Sequence, residues 1–282
     1  VICLVLSLVV RFSVGHPIWL GTWNGRFVSR VVSEVLSGVG VSIPHDAKSK
    51  PFTVTPILDA GNRVVGRLIP GSQYWFRVSF FCGEVDCASV VKAFMGPIRL
   101  STGEELSIVG VNVSSRELAV DSLDVRPTVV YWRVRYWPTV FIFRSQYITW
   151  PSAARFLAST AQTLARVLKG GGLVMDRGGN LLAGIIDGID LRGFIKDITY
   201  NTEVVGFRVR RLTVNLGKGR RMPAFTGSAQ YITYTDKPSL LKALLNVANT
   251  YGVGKNRPLG LGYVTTKVIS EEAIPQHKHP FP

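Results

Sequence analysis

The feature that most constrains this chain is the order in which its apolar periodicity changes. Residues 2–13 form a run rich in valine and leucine that reads as a strand. Residues 25–38, GRFVSRVVSEVLSG, place Val28, Val31, Val32, Val35 and Leu36 on one helical face, with arginine and glutamate on the other. Short strands are expected at 52–58 and 64–68, around the turn Asp59-Ala60-Gly61-Asn62, and a clear strand at 74–81. Residues 86–95 predict a short helix with Asp86 as its N-cap and Gly96 just past its end, and 106–113 a further strand. The order is β-α-β-β-α-β with a hairpin elaboration at its centre. That is the ferredoxin-like plan, a four-stranded antiparallel sheet with two helices on one face.

The second half repeats the order without repeating the sequence. Residues 129–148 are strand-rich, and a helix is expected to open at Pro151 and to end at the glycines 170–172. Several strand-like runs fill 183–234. Pro238 then starts a helix that stops at Gly252, and a strand is expected at 263–269. The expected fold class is therefore α+β, two tandem ferredoxin-like (RRM-like) domains. Their expected extents are residues 1–125 and 126–282, with Pro127 marking the boundary. The tail from Glu271 is expected to fray.

Charge narrows the partner. The 282 residues hold 33 lysines and arginines against 18 acids, a net charge of +15 and a pI near 10.1. That excess favours a polyanion: RNA, DNA or an anionic membrane surface. The longest apolar run, residues 1–10, is about half the ~20 residues that a spanning helix needs, so no membrane role is expected. Three cysteines, Cys3, Cys82 and Cys87, make neither a disulfide framework nor a zinc site. Cys82 and Cys87 could approach across a turn, but the expectation is free, buried thiols in a reducing cytoplasm.

The sharpest motif is Gly252-Val-Gly254-Lys255-Asn-Arg257-Pro-Leu-Gly260-Leu-Gly262, two Gly-x-Gly pairs bracketing a basic loop. Glycines let backbone approach a phosphate, and consecutive N–H groups beside Lys255 and Arg257 suggest an anion cradle. The loop follows a helix and precedes a strand, the reverse of what a Rossmann or P-loop site needs. A second basic stretch, FRVRRLTVNLGKGRRMP at 207–223, carries Arg208, Arg210, Arg211, Lys218, Arg220 and Arg221 with no acid, around a Gly217-Lys218-Gly219 hairpin tip. A third, YWRVRYW at 131–137, places Tyr131, Arg133, Arg135 and Trp137 on one strand face and Trp132, Val134 and Tyr136 on the other. Arginines interleaved with aromatics suit phosphates and bases. No aromatic RNP signature of RRM domains is present, so the fold alone does not license sheet-face RNA reading.

Three features together resemble the Cas-six family of CRISPR repeat endoribonucleases: the glycine loop YGVGKNRPLGLGYV at 251–264, the stretch from Arg26 through HDAKSKPFTVTPIL, and the doubled β-α-β-β-α-β order. The resemblance implies cleavage of precursor CRISPR RNA with neither metal nor other cofactor. The 2′-hydroxyl beside the scissile phosphate would attack in line, leaving 2′,3′-cyclic phosphate and 5′-hydroxyl ends. It also implies a histidine acting in acid–base catalysis, matched by His45, and a lysine, matched by Lys50 with Lys48 as alternate. Where the family carries a tyrosine in the first helix, this chain has Ser33. His16 is the reserve histidine, and the His277–His279 pair is weak as a metal site. The implied partners are repeat RNA or crRNA, subunits of a CRISPR effector complex, and a second copy in a homodimer. Two other readings stand beside the nuclease: a crRNA-holding subunit without catalysis, and an unrelated RNA-binding module.

Overall fold

In the computed structural model, residues 3–43, 50–82, 84–118, 125–168, 174–175, 181–183, 185–186 and 189–274 are described. The N-terminal sheet is built from β1 (Cys3–Val14), β2 (Phe52–Val54), β3 (Tyr74–Phe80) and β4 (Glu105–Leu118), with α1 (Gly25–Gly38) and α2 (Cys87–Ala93) between strands. The strands run β2-β3-β1-β4, all neighbours antiparallel. Alternation decides the faces: Leu8, Val10 and Phe12 are fully buried while Arg11 between them is exposed. They meet Val28, Val31, Val32 and Leu36 of α1 in one core.

The C-terminal sheet repeats the topology. Strands β5 (Thr128–Thr139), β6 (Thr202–Asn215), β7 (Arg221–Thr235) and β8 (Val264–Ala273) run β6-β7-β5-β8, again antiparallel throughout. Three helices, α3 (Ala153–Val167), α4 (Leu191–Tyr200) and α5 (Pro238–Tyr251), contribute to its core. Trp132 and Val134 are fully buried and Tyr136 nearly so; Trp132 stacks on Tyr231 at 4.2 Å, and the Tyr136 and Tyr231 hydroxyls lie 2.6 Å apart. The chain thus has the tandem ferredoxin-like fold.

Five expectations need correction. Helix α3 starts at Ala153, because Ser152 caps it by accepting from the Arg155 amide at 3.3 Å; Pro151 lies outside the cap. Such a cap contributes about 1 kcal/mol. Helix α4 replaces part of the strand-like region. Its β-branched residues suggest strand, but Leu191, Phe194 and Ile198 bury one helical face and Asp190 caps the start. The stretch 52–58 breaks after Val54, and only Leu58–Asp59 resumes pairing with β3. The tail does not fray at Glu271: β8 continues to Ala273, and the Glu271 carboxylate accepts from Arg126 at 2.6 Å and Lys242 at 2.9 Å. Cys82 and Cys87 form a disulfide, since the turn that Asp86 caps ahead of α2 brings their Cα atoms to 5.6 Å, and both are half-buried rather than buried.

The two sheets meet through the end of α5 and the loop after it. Ser79 donates to the Thr250 carbonyl at 2.7 Å, the Tyr251 hydroxyl to the Phe80 carbonyl at 3.1 Å, and Phe81 stacks on Tyr251 at 4.5 Å. Trp75 and Trp137 pack on Tyr263 in a small separate cluster with Leu58. Among the described residues, no helix is long and apolar enough to cross a membrane.

Candidate nucleic-acid interface

The glycine loop is closed on itself rather than open. The Val253 amide donates to Gly262 O at 2.8 Å, Gly262 N to Pro138 O at 2.8 Å, Lys255 N to Val140 O at 2.9 Å, and Gly254 N to Ser159 Oγ at 2.8 Å. Leu259 and Gly260 N–H groups are taken by the short 3-10 turn at Arg257–Leu259. The expected cradle of free amides is therefore corrected: most of these donors are used within the protein. The glycines serve close packing instead. A Cβ at Gly262 (φ +77°) would be driven into the Val253 carbonyl oxygen, and one at Gly260 would stand 2.8 Å from Gly25 Cα at the start of α1. Trp23 Nε1 donates to Leu259 O at 2.8 Å, locking the loop to the entrance of α1.

Against this lock lies a cleft of about 1060 Å3, walled by α1, Lys50–Thr53, the C-terminal half of α3, the β6–β7 hairpin tip and the loop. Among the described residues eight cations line it, Arg26, Arg30, Lys50, Arg166, Lys218, Arg220, Lys255 and Arg257, and one carboxylate, Glu104. An excess that large draws a polyanion rather than a small neutral ligand.

The cations differ in how they are held. Arg166 donates through Nε and Nη2 to Glu84 at 2.9 and 2.8 Å, also to Lys50 O at 2.8 Å, and lies 3.8 Å over the Phe81 ring. It is a braced, compensated charge. Arg257 donates to Thr163 Oγ1 at 2.5 Å and Gly252 O at 3.5 Å, with no carboxylate partner among the described residues. Burial, and then the Arg166 guanidinium nearby, push its pKa down to about 10. Lys50 Nζ lies 3.3 Å from Ser29 Oγ and 5.6 Å from the Phe52 ring centroid, and burial lowers its pKa. Arg30 pairs with Glu104 at 2.9 Å, while its buried Nε has no hydrogen-bond partner among the described residues. Ser33 also lines the cleft, its hydroxyl donating to Ser29 O at 2.8 Å. Arg26 donates to the Leu216 carbonyl and so pins the hairpin tip.

Most of the basic residues expected from the sequence to bind RNA fall on two surfaces. Lys218, Arg220, Lys255 and Arg257 reach the cleft together with Lys50. Arg133, Arg135 and Arg208 lie on the open face of the C-terminal sheet, in the cross-strand rows Arg208–Ser228–Arg135–Thr265 and Gly206–Gln230–Arg133–Lys267. Arg210 pairs across from Thr226 on the same side, whereas Arg211, opposite Phe225, has the other parity, and Arg221 is exposed at the start of β7. Trp137 is not offered to solvent with Arg135 as the alternation predicts; it is 7% exposed in the contact between sheets. His16 sits exposed in the turn after β1 and does not line the cleft. His45, Lys48, His277 and His279 lie outside the described residues. The sequence reading misses Arg26, Arg30 and Arg166. The first two share a helix face at i, i+4, a signal that could have been used; Arg166 has no local signature.

The family described as CRISPR-associated endoribonuclease Cas6 matches residues 135–264. No curated protein shows sequence similarity to the chain. Among solved structures, a Cas6 (TTHB231) product complex is 19% identical, with a TM-score of 0.66 over 93% of this chain and 100% of that one. Thermus thermophilus Cas6 (TTHB231) is 18% identical, with a TM-score of 0.63 over 95% and 99%. A Cas6 (TTHA0078) substrate mimic complex is 20% identical, with a TM-score of 0.59 over 94% and 100%. At these identities the structural likeness shows the fold.

Proposed function

We propose, from the premise that this chain is a Cas6-family protein, that it is a metal-independent endoribonuclease cutting precursor CRISPR RNA within its repeats. The observation that carries this reading is the cleft where the glycine loop locks onto α1, with eight lining cations against one carboxylate among the described residues. In the proposed reaction the 2′-hydroxyl loses its proton and its oxygen attacks the adjacent phosphorus. The P–O5′ bond breaks, and O5′ takes a proton. The products are a 2′,3′-cyclic phosphate and a 5′-hydroxyl. His45, five positions before Lys50 in the chain, is assigned the proton transfers, with Lys48 and His16 in reserve. Lys50 supplies positive charge at the phosphate, and Arg257 is a further donor to it. The hairpin tip and the open face of the C-terminal sheet extend the RNA path. Effector-complex subunits and a second copy of the chain are proposed as further partners, and residues 1–125 and 126–282 as the two domains.

A second reading, a crRNA-holding subunit without catalysis, is favoured by one observation: Ser33, where the resemblance calls for tyrosine, already donates to Ser29 O. Single-turnover assays in EDTA with end-labelled repeat RNA separate the two readings. Cutting that stops when the cut-site sugar is 2′-deoxy is the expected result; tight binding of uncut RNA would establish the holding subunit instead.

Binding itself has a salt signature. Removing Lys218 and Arg220 together should reduce the slope of log K against log salt by ~0.7 for each phosphate that the protein then leaves unneutralised. Because the tip is pinned through the Leu216 backbone by Arg26, thermal stability should hold. An unchanged slope in filter-binding titrations would place the RNA elsewhere.

A further inference from the structure

Beyond the cleft, a short hairpin rises directly from β5. Its strands, Phe141–Phe143 and Gln146–Ile148, are joined at Arg144 and Ser145, both in left-handed backbone conformation. Only its base is packed, through buried Phe141. Phe143, Tyr147 and Trp150 are 43%, 47% and 54% exposed, too much open aromatic surface for a hairpin that merely links β5 to α3. Cations attend it: the Arg155 guanidinium lies 4.4 Å from the Phe143 ring centroid and that of Arg144 5.4 Å. From Val125 to Met175 the sequence has seven lysines and arginines and no acid.

The hairpin is continuous with the cleft. Val140 O, at its foot, accepts from the Lys255 amide, and the Phe141 ring packs near Gly254. Along α3, Arg155, Ser159, Gln162 and Arg166 follow one another at helical spacing, about 16 Å from end to end. Ser159 bonds the glycine loop, and Gln162 and Arg166 line the cleft. One face of α3 thus leads from the cleft to Phe143.

We propose that this hairpin is a stacking platform for unpaired nucleotides of the RNA lying in the cleft, with Tyr147, Trp150 and Phe143 taking bases and Arg144 and Arg155 the phosphates. The proposal rests on the RNA-binding reading above. It favours RNA over a protein partner because of the acid-free stretch of sequence that holds the hairpin and the arginine-stacked ring, and because base stacking tolerates any sequence.

The test uses the full chain and two RNAs: the shortest repeat fragment that it binds, and the same fragment extended by about ten adenosines at each end, within the range of single-strand binding sites. The extension should tighten wild-type binding on the order of tenfold per stacked base. Tyr147→Ala with Trp150→Ala should abolish that gain and leave affinity for the short fragment unchanged, while Tyr147→Phe with Trp150→Phe should keep it. A 4-thiouridine placed in the extension should crosslink to the peptide spanning 141–155, a readout independent of any substitution. An extension that adds no affinity, a gain that survives the alanine pair, or crosslinks elsewhere would overturn the platform. A gain that survives while the alanine pair alters the sedimentation coefficient would make the hairpin a protein-contact surface and also overturn it. Failure of the short fragment itself to bind sinks the RNA reading, a different result from failure of the extension alone.

Discussion

Replacing His45 by alanine is expected to slow single-turnover cleavage of repeat RNA by about 10²–10⁴-fold while leaving Kd nearly unchanged. The asymmetry follows from the assigned role. A group that moves a proton acts only in the transition state, whereas affinity is assigned to the cations that line the cleft, eight of them among the described residues. Lys50→Ala should also act mainly on rate, by ~10²–10³, because it removes charge where the phosphate becomes more negative. The pH profile distinguishes the two side chains. His45→Ala should erase the limb governed by an imidazole near pH ~6.5. Lys50 works protonated and burial lowers its pKa, so rate should fall as pH rises through a value below the ordinary 10.5. Lys50→Ala should remove that alkaline limb. Full activity of His45→Ala would move the acid–base role to His16 or Lys48.

The second large effect concerns stability. Gly262→Ala should cost about 3–5 kcal/mol, the sum of left-handed strain on a non-glycine residue and the rupture of two backbone hydrogen bonds. The added methyl would meet the Val253 carbonyl, and the bonds Val253 N to Gly262 O and Gly262 N to Pro138 O could not both survive. For a stability of ~5–15 kcal/mol that is a large fraction. Gly219→Ala is the internal control. Its φ of +72° is nearly the same, but nothing lies within 4 Å of the new methyl, so only the strain of about 1 kcal/mol applies. Equal losses for the two variants in denaturant titrations would mean that the loop is not packed as described. RNA affinity should fall with Gly262→Ala at temperatures where the fold survives, because the loop carries Lys255 and Arg257 into the cleft.

Much of the scaffold can be read from the sequence because its causes are local. The 3.6-residue period of Val28, Val31, Val32, Val35 and Leu36 specifies α1, and the two-residue period of Trp132, Val134 and Tyr136 specifies the buried face of β5. Asp86 and Gly252 mark helix ends through their own side chain or backbone freedom. Local reasoning fails where a neighbour far along the chain decides. LRGFIKDITY carries strand-favouring residues and becomes α4 because Leu191, Phe194 and Ile198 find a core to fill. The doubled Gly-x-Gly motif correctly signals a special loop and misleads about its purpose, since whether its amides are free depends on Pro138, Val140 and Ser159.

The doubled β-α-β-β-α-β order, the basic character and the position of the glycine loop are legible in the residues alone, because each follows from composition or from contacts within a few residues. That Arg26, Lys50, Arg166, Lys218 and Arg257 share one cleft, and that Arg133, Arg135 and Arg208 line a different surface, follows from how the two halves fold and pack. Like charges repel and have no local reason to gather. They are held together by the burial of two cores and the glycine lock between them, which outweigh that repulsion and leave the charge facing one groove.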